Sequence, residues 1–157
     1  MISSHFITTF IMLCVLGIFD AGYLVWKHRK NSHSPLVCPL NHDCSKVTES
    51  KWSKILGVRN EVLGALFYCF LLIWVLAFLF FHPPSAVGTM WELPMLILFG
   101  LFPLSLILVT ALGSFFSLLL IYIQLKVIKD YCFYCIISAI ITILLLINSL
   151  ALFKKYF

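Results

Sequence analysis

The stretch Lys129–Phe153, KDYCFYCIISAIITILLLINSLALF, joins a C-x-x-C pair, Cys132 and Cys135, to a long apolar run. From Tyr131 to Phe153 no residue is charged. At about 1.5 Å per residue a helix of this length crosses a hydrocarbon core about 30 Å thick. In a helix, residues three apart share a face, so the two sulfurs can close a disulfide. The first helical turn also favours negative charge, which stabilises the thiolate that performs disulfide chemistry. A C-x-x-C can equally be half of a zinc site, and only a second pair elsewhere separates the two readings. Ile136 follows Cys135, so the C-x-x-C-H pattern of haem attachment is absent.

Composition sets the class. Of 157 residues, 62% are hydrophobic and 11% charged, with a mean hydropathy of +1.08. These values exclude an ordinary soluble domain and define an integral membrane protein. We expect a single membrane domain over residues 1–157, with no soluble appendage, internal repeat or low-complexity linker. The net charge of +5 is scattered over loops, which marks membrane-interface charge rather than a nucleic-acid footprint.

In chain order, the first span is expected over residues 6–26. No basic region precedes it and no small-residue cleavage site follows, which argues against a cleaved signal peptide. Asp20 lies near its far end, within reach of the interface, and Trp26 opens the aromatic and basic border WKHRK. Cys14, mid-helix, reads as packed and inert, and so does Cys69 later. Residues 27–60 form a polar loop carrying the second pair, Cys38 and Cys44, in CPLNHDC. Pro39, Asn41 and Asp43 between them spell a turn, which leaves these thiols on a mobile segment as a shuttle requires. From Val47 to Val58, Trp52, Ile55 and Leu56 alternate with Lys51, Ser53 and Lys54, the pattern of a short amphipathic helix at the membrane surface. Such a helix either caps a pocket between the spans or serves as a surface anchor.

The second span is expected over residues 61–81, closed by Pro83-Pro84. Its opening, NEVLGALFY, sets Asn60, Gly64 and Phe67 or Tyr68 at helical spacing, with Asn60 a candidate helix cap. Leu93 to Ile123 is free of charge and too long for one untilted crossing. The third span is therefore placed at 97–125, with Pro103 as a kink or the end of a lead-in. The fourth is placed at 131–153, followed by Lys154 and Lys155. The expected fold is an all-α membrane protein, a four-transmembrane-helix bundle with a short amphipathic interfacial helix after the first loop.

Four crossings put the loops after the first and third spans on one side, so Cys38, Cys44, Cys132 and Cys135 converge there. This arrangement suits a relay of thiolate attacks through mixed disulfides, draining electrons inward from a dithiol partner. A lipid-soluble two-electron acceptor such as a quinone, of the ubiquinone, menaquinone or phylloquinone type, suits the inner end.

With these residues in hand, the chain resembles the vitamin K epoxide reductase (VKOR) family, in its short bacterial form without a fused thioredoxin-like domain. The resemblance is carried by the order of the two pairs, by CSKV at Cys44–Val47, by NEVLGALFY and by DYCFYC, and it covers nearly the whole chain. DsbB-type oxidoreductases share the architecture but place C-x-x-C in the first loop, the reverse of the order here. The resemblance implies a helix bundle around a quinone, with Cys132 and Cys135 as the active-site disulfide and Cys38 and Cys44 as the shuttle. It implies that Cys38 exchanges with a DsbA-like or other thioredoxin-fold partner, that Cys44 attacks Cys132, and that Cys135 is released facing the quinone. Asn60 would hydrogen-bond a quinone oxygen, with Phe67 and Tyr68 lining the pocket. Vertebrate members that reduce the epoxide have a Tyr four residues after the second cysteine. Here that residue is Ala139, so quinone reduction coupled to disulfide formation is expected, and not epoxide reduction.

Two signals disagree on orientation. Lys27, Arg29, Lys30, Lys46, Lys51, Lys54 and Arg59 crowd the first loop, whereas residues 82–94 hold no Lys or Arg, which by the positive-inside rule points the cysteines to the cytoplasm. Disulfide formation belongs outside the reducing cytoplasm. The chemistry favours a bacterial cytoplasmic membrane with both pairs on the extracytoplasmic side. A rival reading makes the same four cysteines, with His42, a thiolate metal-binding or transport site.

Overall fold

A computed structural model of the chain describes residues 4–30, 44–55, 57–81 and 92–156. Four long helices dominate it: α1 (Ser4–Lys30), α3 (Asn60–Phe81), α4 (Glu92–Ile123) and α5 (Phe133–Tyr156). Their apolar segments at His5–Lys30, Asn60–Phe80, Phe102–Ile128 and Phe133–Lys154 are each long enough to cross a membrane. The expected four-span all-α bundle is therefore the fold. Pro103 lies inside α4, which runs on as helix through it. The crossing window starts at Phe102, so the preceding turns are a lead-in.

The element after the first loop differs from expectation. The single amphipathic helix expected from Val47 to Val58 is replaced by three shorter pieces. A five-residue helix α2 (Cys44–Thr48) is followed by one 3-10 turn at Lys51–Ser53 and a minimal hairpin of β1 (Lys54–Ile55) and β2 (Val58–Arg59). The strands pair Lys54 with Arg59 and Ile55 with Val58, so the reversal needs a two-residue turn. Gly57, at φ +82°, supplies the left-handed backbone for it. At Ser50 the backbone is already extended, and the Ser50 hydroxyl donates back to the Val47 carbonyl at 2.8 Å. Local hydroxyl bonds of this kind compete with helix propagation.

α1 packs on α3 and α5, and α5 packs on α4. Phe78 and Phe102, stacked at 3.8 Å between centroids, join α3 to α4. The core draws on all four helices, through Phe10 and Cys14, Tyr68 and Leu71, Leu106, and Leu145. Cys14 is buried there as a small apolar side chain. Side chains such as Phe19, Leu108, Phe115 and Phe80 point outward, the pattern of helices whose solvent is lipid. Polar core residues bond their own helices: Thr110 donates to the Leu106 carbonyl at 2.7 Å and Ser149 to the Leu145 carbonyl at 2.9 Å. Without such partners each would be an unsatisfied group in an apolar medium.

Candidate active site

The start of α5, the end of α4, α2 and the first turn of α3 meet at one end of the bundle. α4 does not end as an α-helix. It widens into a π-helical turn, Gln124–Ile128, which stops at Lys129 in the left-handed conformation (φ 56°). The Asp130 amide donates to the Gln124 carbonyl at 3.3 Å, and Asp130 Oδ1 accepts from the Tyr131 amide at 3.1 Å. This tight reversal delivers Cys132 to the residue before α5, where Ile136 N–H donates to its carbonyl at 3.1 Å. Cys132 and Cys135 are both free thiols, one helical turn apart.

Cys132 lies just outside the span that begins at Phe133. The Cys135 thiol beside it donates to its sulfur, and the backbone N–H groups of Cys135 and Tyr134 add to this. Together they hold the Cys132 thiol below the ordinary cysteine range, against the burial that opposes ionisation. The C-x-x-C thus has a built-in asymmetry, with the first sulfur as the stabilised thiolate.

Cys44 is held in a disulfide; Cys38 lies outside the described residues. Cys44 and Cys132 are both fully buried, in one cluster with Leu24 and Val47. Cys44 Sγ is 4.0 Å from the Tyr131 carbonyl oxygen, a packing contact because a disulfide sulfur has no proton to donate. Two ties hold α2 over the C-x-x-C, and the second is anchored in turn. Lys46 Nζ is 3.5 Å from Asp130 Oδ2. Arg59 Nη2 donates to the Thr48 carbonyl at 3.1 Å, and Arg59 Nε donates to Glu61, which also sits 3.2 Å from His28 Nδ1. Glu61 is almost wholly buried, with its charge met by the guanidinium.

On the inner side of the cysteines a cavity of about 90 Å³ opens between α1, α3, α4 and α5, with Cys135, Gln124, Asn60, Asp20 and Ser138 on its wall. Cys132 does not line it. The Gln124 side chain is within hydrogen-bonding reach of Cys135. Asn60 Nδ2 donates to the Trp52 carbonyl at 2.9 Å, which turns Asn60 Oδ1 away as a free acceptor. Asn60 Oδ1 and Asp20 Oδ2 are buried and lack partners among the described residues. An unsatisfied buried acceptor costs about 1–3 kcal/mol, so the wall suits a small ligand that presents hydrogen-bond donors such as hydroxyls.

The residues singled out in the sequence divide accordingly. Asn60 and Cys135 face the cavity, while Cys44 and Cys132 are buried in one cluster beside it. Phe67 and Tyr68 are not on this wall. They sit one turn deeper than Gly64, which is. Phe67 packs against Gly113. Tyr68 is buried, and its hydroxyl donates to the Ser138 carbonyl at 2.9 Å and lies 2.9 Å from Ser138 Oγ and Thr142 Oγ1. Ala139 is buried in the packing rather than on the wall. Gln124 and Glu61 were not singled out as site residues by the sequence, although a lone amide closing a charge-free run and an acid at a span's first turn are both visible in it. Among the described residues no three His, Cys, Asp or Glu side chains gather as metal ligands; Cys38 and His42 of the rival metal reading lie outside the described residues.

A thiolate-stabilising C-x-x-C at the mouth of a membrane helix, with a disulfide-bonded cysteine packed beside it, defines the class: a membrane thiol-disulfide oxidoreductase. The chain belongs to the Vitamin K epoxide reductase family, whose profile matches residues 8–150. Comparison with curated proteins gives no significant match. Members of this family use quinone-type electron carriers and generally work with thioredoxin-like partners.

Proposed function

We propose that this protein is a quinone-dependent oxidase of a thioredoxin-fold, DsbA-like partner, and so supports disulfide formation. In this reading Cys38 is the disulfide partner of Cys44, the four other cysteines being free. The loop disulfide is attacked by a partner thiolate, and the partner leaves oxidised. The Cys44 thiolate then attacks Cys132 of an oxidised Cys132–Cys135 pair, with Cys135 leaving as thiolate, and Cys38 resolves the mixed disulfide. Two electrons and two protons now reside on the inner dithiol. A quinone supplies the two-electron sink, and Cys135 passes the pair to it as the Cys132–Cys135 bond re-forms.

One observation carries this reading: Cys44 and Cys132 are fully buried in one cluster, and Cys135, which packs against that cluster, is the one of the three that lines the cavity. The asymmetry separates an exchange sulfur from an acceptor-facing one. Asn60 would hold the reduced acceptor, whose ring hydroxyl can donate to its free Oδ1. Phe67 and Tyr68 would act from below the lining residues, Tyr68 by fixing Ser138.

Replacing Cys135 by Ser removes the leaving sulfur. Mass spectrometry of that variant should recover a Cys44–Cys132 disulfide, and its absence under oxidising conditions would refute the relay. We place both pairs on the extracytoplasmic side of a bacterial membrane. A membrane-impermeant maleimide should then label the exposed position 51 of a Lys51→Cys variant in intact cells, whereas protection until lysis would reverse the assignment.

A further inference from the structure

The cavity wall holds two carboxylates in opposite circumstances. Glu61 is engaged by Arg59 and His28. Asp20, on the same wall, meets no cation within ion-pair distance among the described residues, and its Oδ2 is buried without a partner. It projects from the first span into the space that Cys135 and Gln124 border from the opposite helices. The ionisable groups that face it are Tyr68 from α3 and Cys132, Tyr134 and Cys135 from the start of α5, each within range of its charge. Glu61 borders the same cavity from α3.

We propose that Asp20 is the catalytic proton-exchange group of this cavity, carrying a proton from the Cys135 thiol to a quinone oxygen. The proposal rests on the quinone reading above. The balance is closed by that reaction alone: the Cys132–Cys135 pair loses two electrons as the S–S bond forms, and the hydroquinone's two protons are the one passed from Cys135 through Asp20 and the one that Cys132 released to solvent on becoming a thiolate. Asp20, as the carboxylic acid, gives its proton to the nearer ring oxygen and recovers one from the Cys135 thiol. Asp20 Oδ2 and the free Asn60 Oδ1 are both acceptors, and together they fit the two ring hydroxyls of the product. A carboxylate with a buried, unpartnered oxygen otherwise has no structural task here, since Asp20 holds no helix end and pairs with no cation among the described residues.

The test compares full-length Asp20→Asn and Asp20→Glu with the wild type in lipid nanodiscs, with a short-chain ubiquinone as probe. Single-turnover reduction of the probe by the reduced protein should fall about 100-fold or more in Asp20→Asn, the scale of a lost general acid, and recover in Asp20→Glu. An infrared difference spectrum on reducing the bound probe should show a carboxylic C=O band that shifts with carbon-13 aspartate. That band should vanish in Asp20→Asn and lose its aspartate isotope shift in Asp20→Glu. If Asp20→Asn does not fold, the Glu variant alone decides through that isotope shift. Quinone reduction by the wild type with an unchanged rate in Asp20→Asn, or a persistent aspartate band in either variant, overturns the role of Asp20 alone. Failure of the wild type to reduce any quinone overturns the parent reading as well.

Discussion

The two ends of the bundle use different chemistry. At the far end the helices meet through Phe10, Val75, Phe78 and Phe102 around a small gap lined wholly by apolar side chains. A polar tie crosses there, from Asn148 Nδ2 to the Phe6 carbonyl at 3.3 Å. At the cysteine end, Asp20, Glu61, Arg59, Asn60, Gln124 and the thiols crowd a few turns of helix. Lipid gives helices no hydrophobic reason to associate, so the far end is held by packing, and polar groups are kept where they act on a substrate. A buried polar group in a membrane segment is expensive enough that its presence is itself a statement about function.

The contrast is broken most severely by Cys132→Ala, which should lower quinone-linked oxidation of a partner dithiol by about three orders of magnitude or more, to background. Cys14→Ala, an equally buried cysteine in the apolar core, should leave the rate per folded molecule unchanged; equal losses would mean that burial, not position, matters. A smaller effect, on stability, comes from Gly17. A Cβ there would stand 2.7 Å from Tyr68 ring atoms, so Gly17→Leu should cost about 1–3 kcal/mol as overpacking, measured as a lower thermal midpoint. Smallest is a titration. Because a hydrogen bond from Cys135 favours the charged form of Cys132, the thiolate of Cys132 should appear at lower pH than in a free cysteine, and Cys135→Ala should move its absorbance midpoint upward. A downward move would mean that burial dominates.

Much of this was legible in the sequence. Charge-free runs fixed four crossings, and parity then put CSKV beside DYCFYC, as the Cys44 and Cys132 cluster bears out. What was not legible is local geometry. The periodicity from Val47 to Val58 fits a helix, but Ser50 and Gly57 turn the backbone elsewhere, and helical spacing alone does not report hydroxyl bonds to nearby carbonyls. Asn60, Gly64, Phe67 and Tyr68 share a helix face as expected. Depth along that face is set by the neighbouring helices, so Tyr68 meets Ser138 beneath the cavity rather than on its wall. The widening of α4 at Gln124 has no signature in an apolar pattern, yet it brings an amide to Cys135.

The five-residue α2 has one further consequence. Cys132, its companion in the proposed relay, is fixed at the root of α5, a helix gripped by both α1 and α4. α2 is fastened by a single long lysine to Asp130 and by an arginine to its last carbonyl. Whatever travel one catalytic round demands therefore falls on the lighter member. A covalent staple between α2 and the hairpin would jam the machine while leaving the scaffold in the bilayer undisturbed.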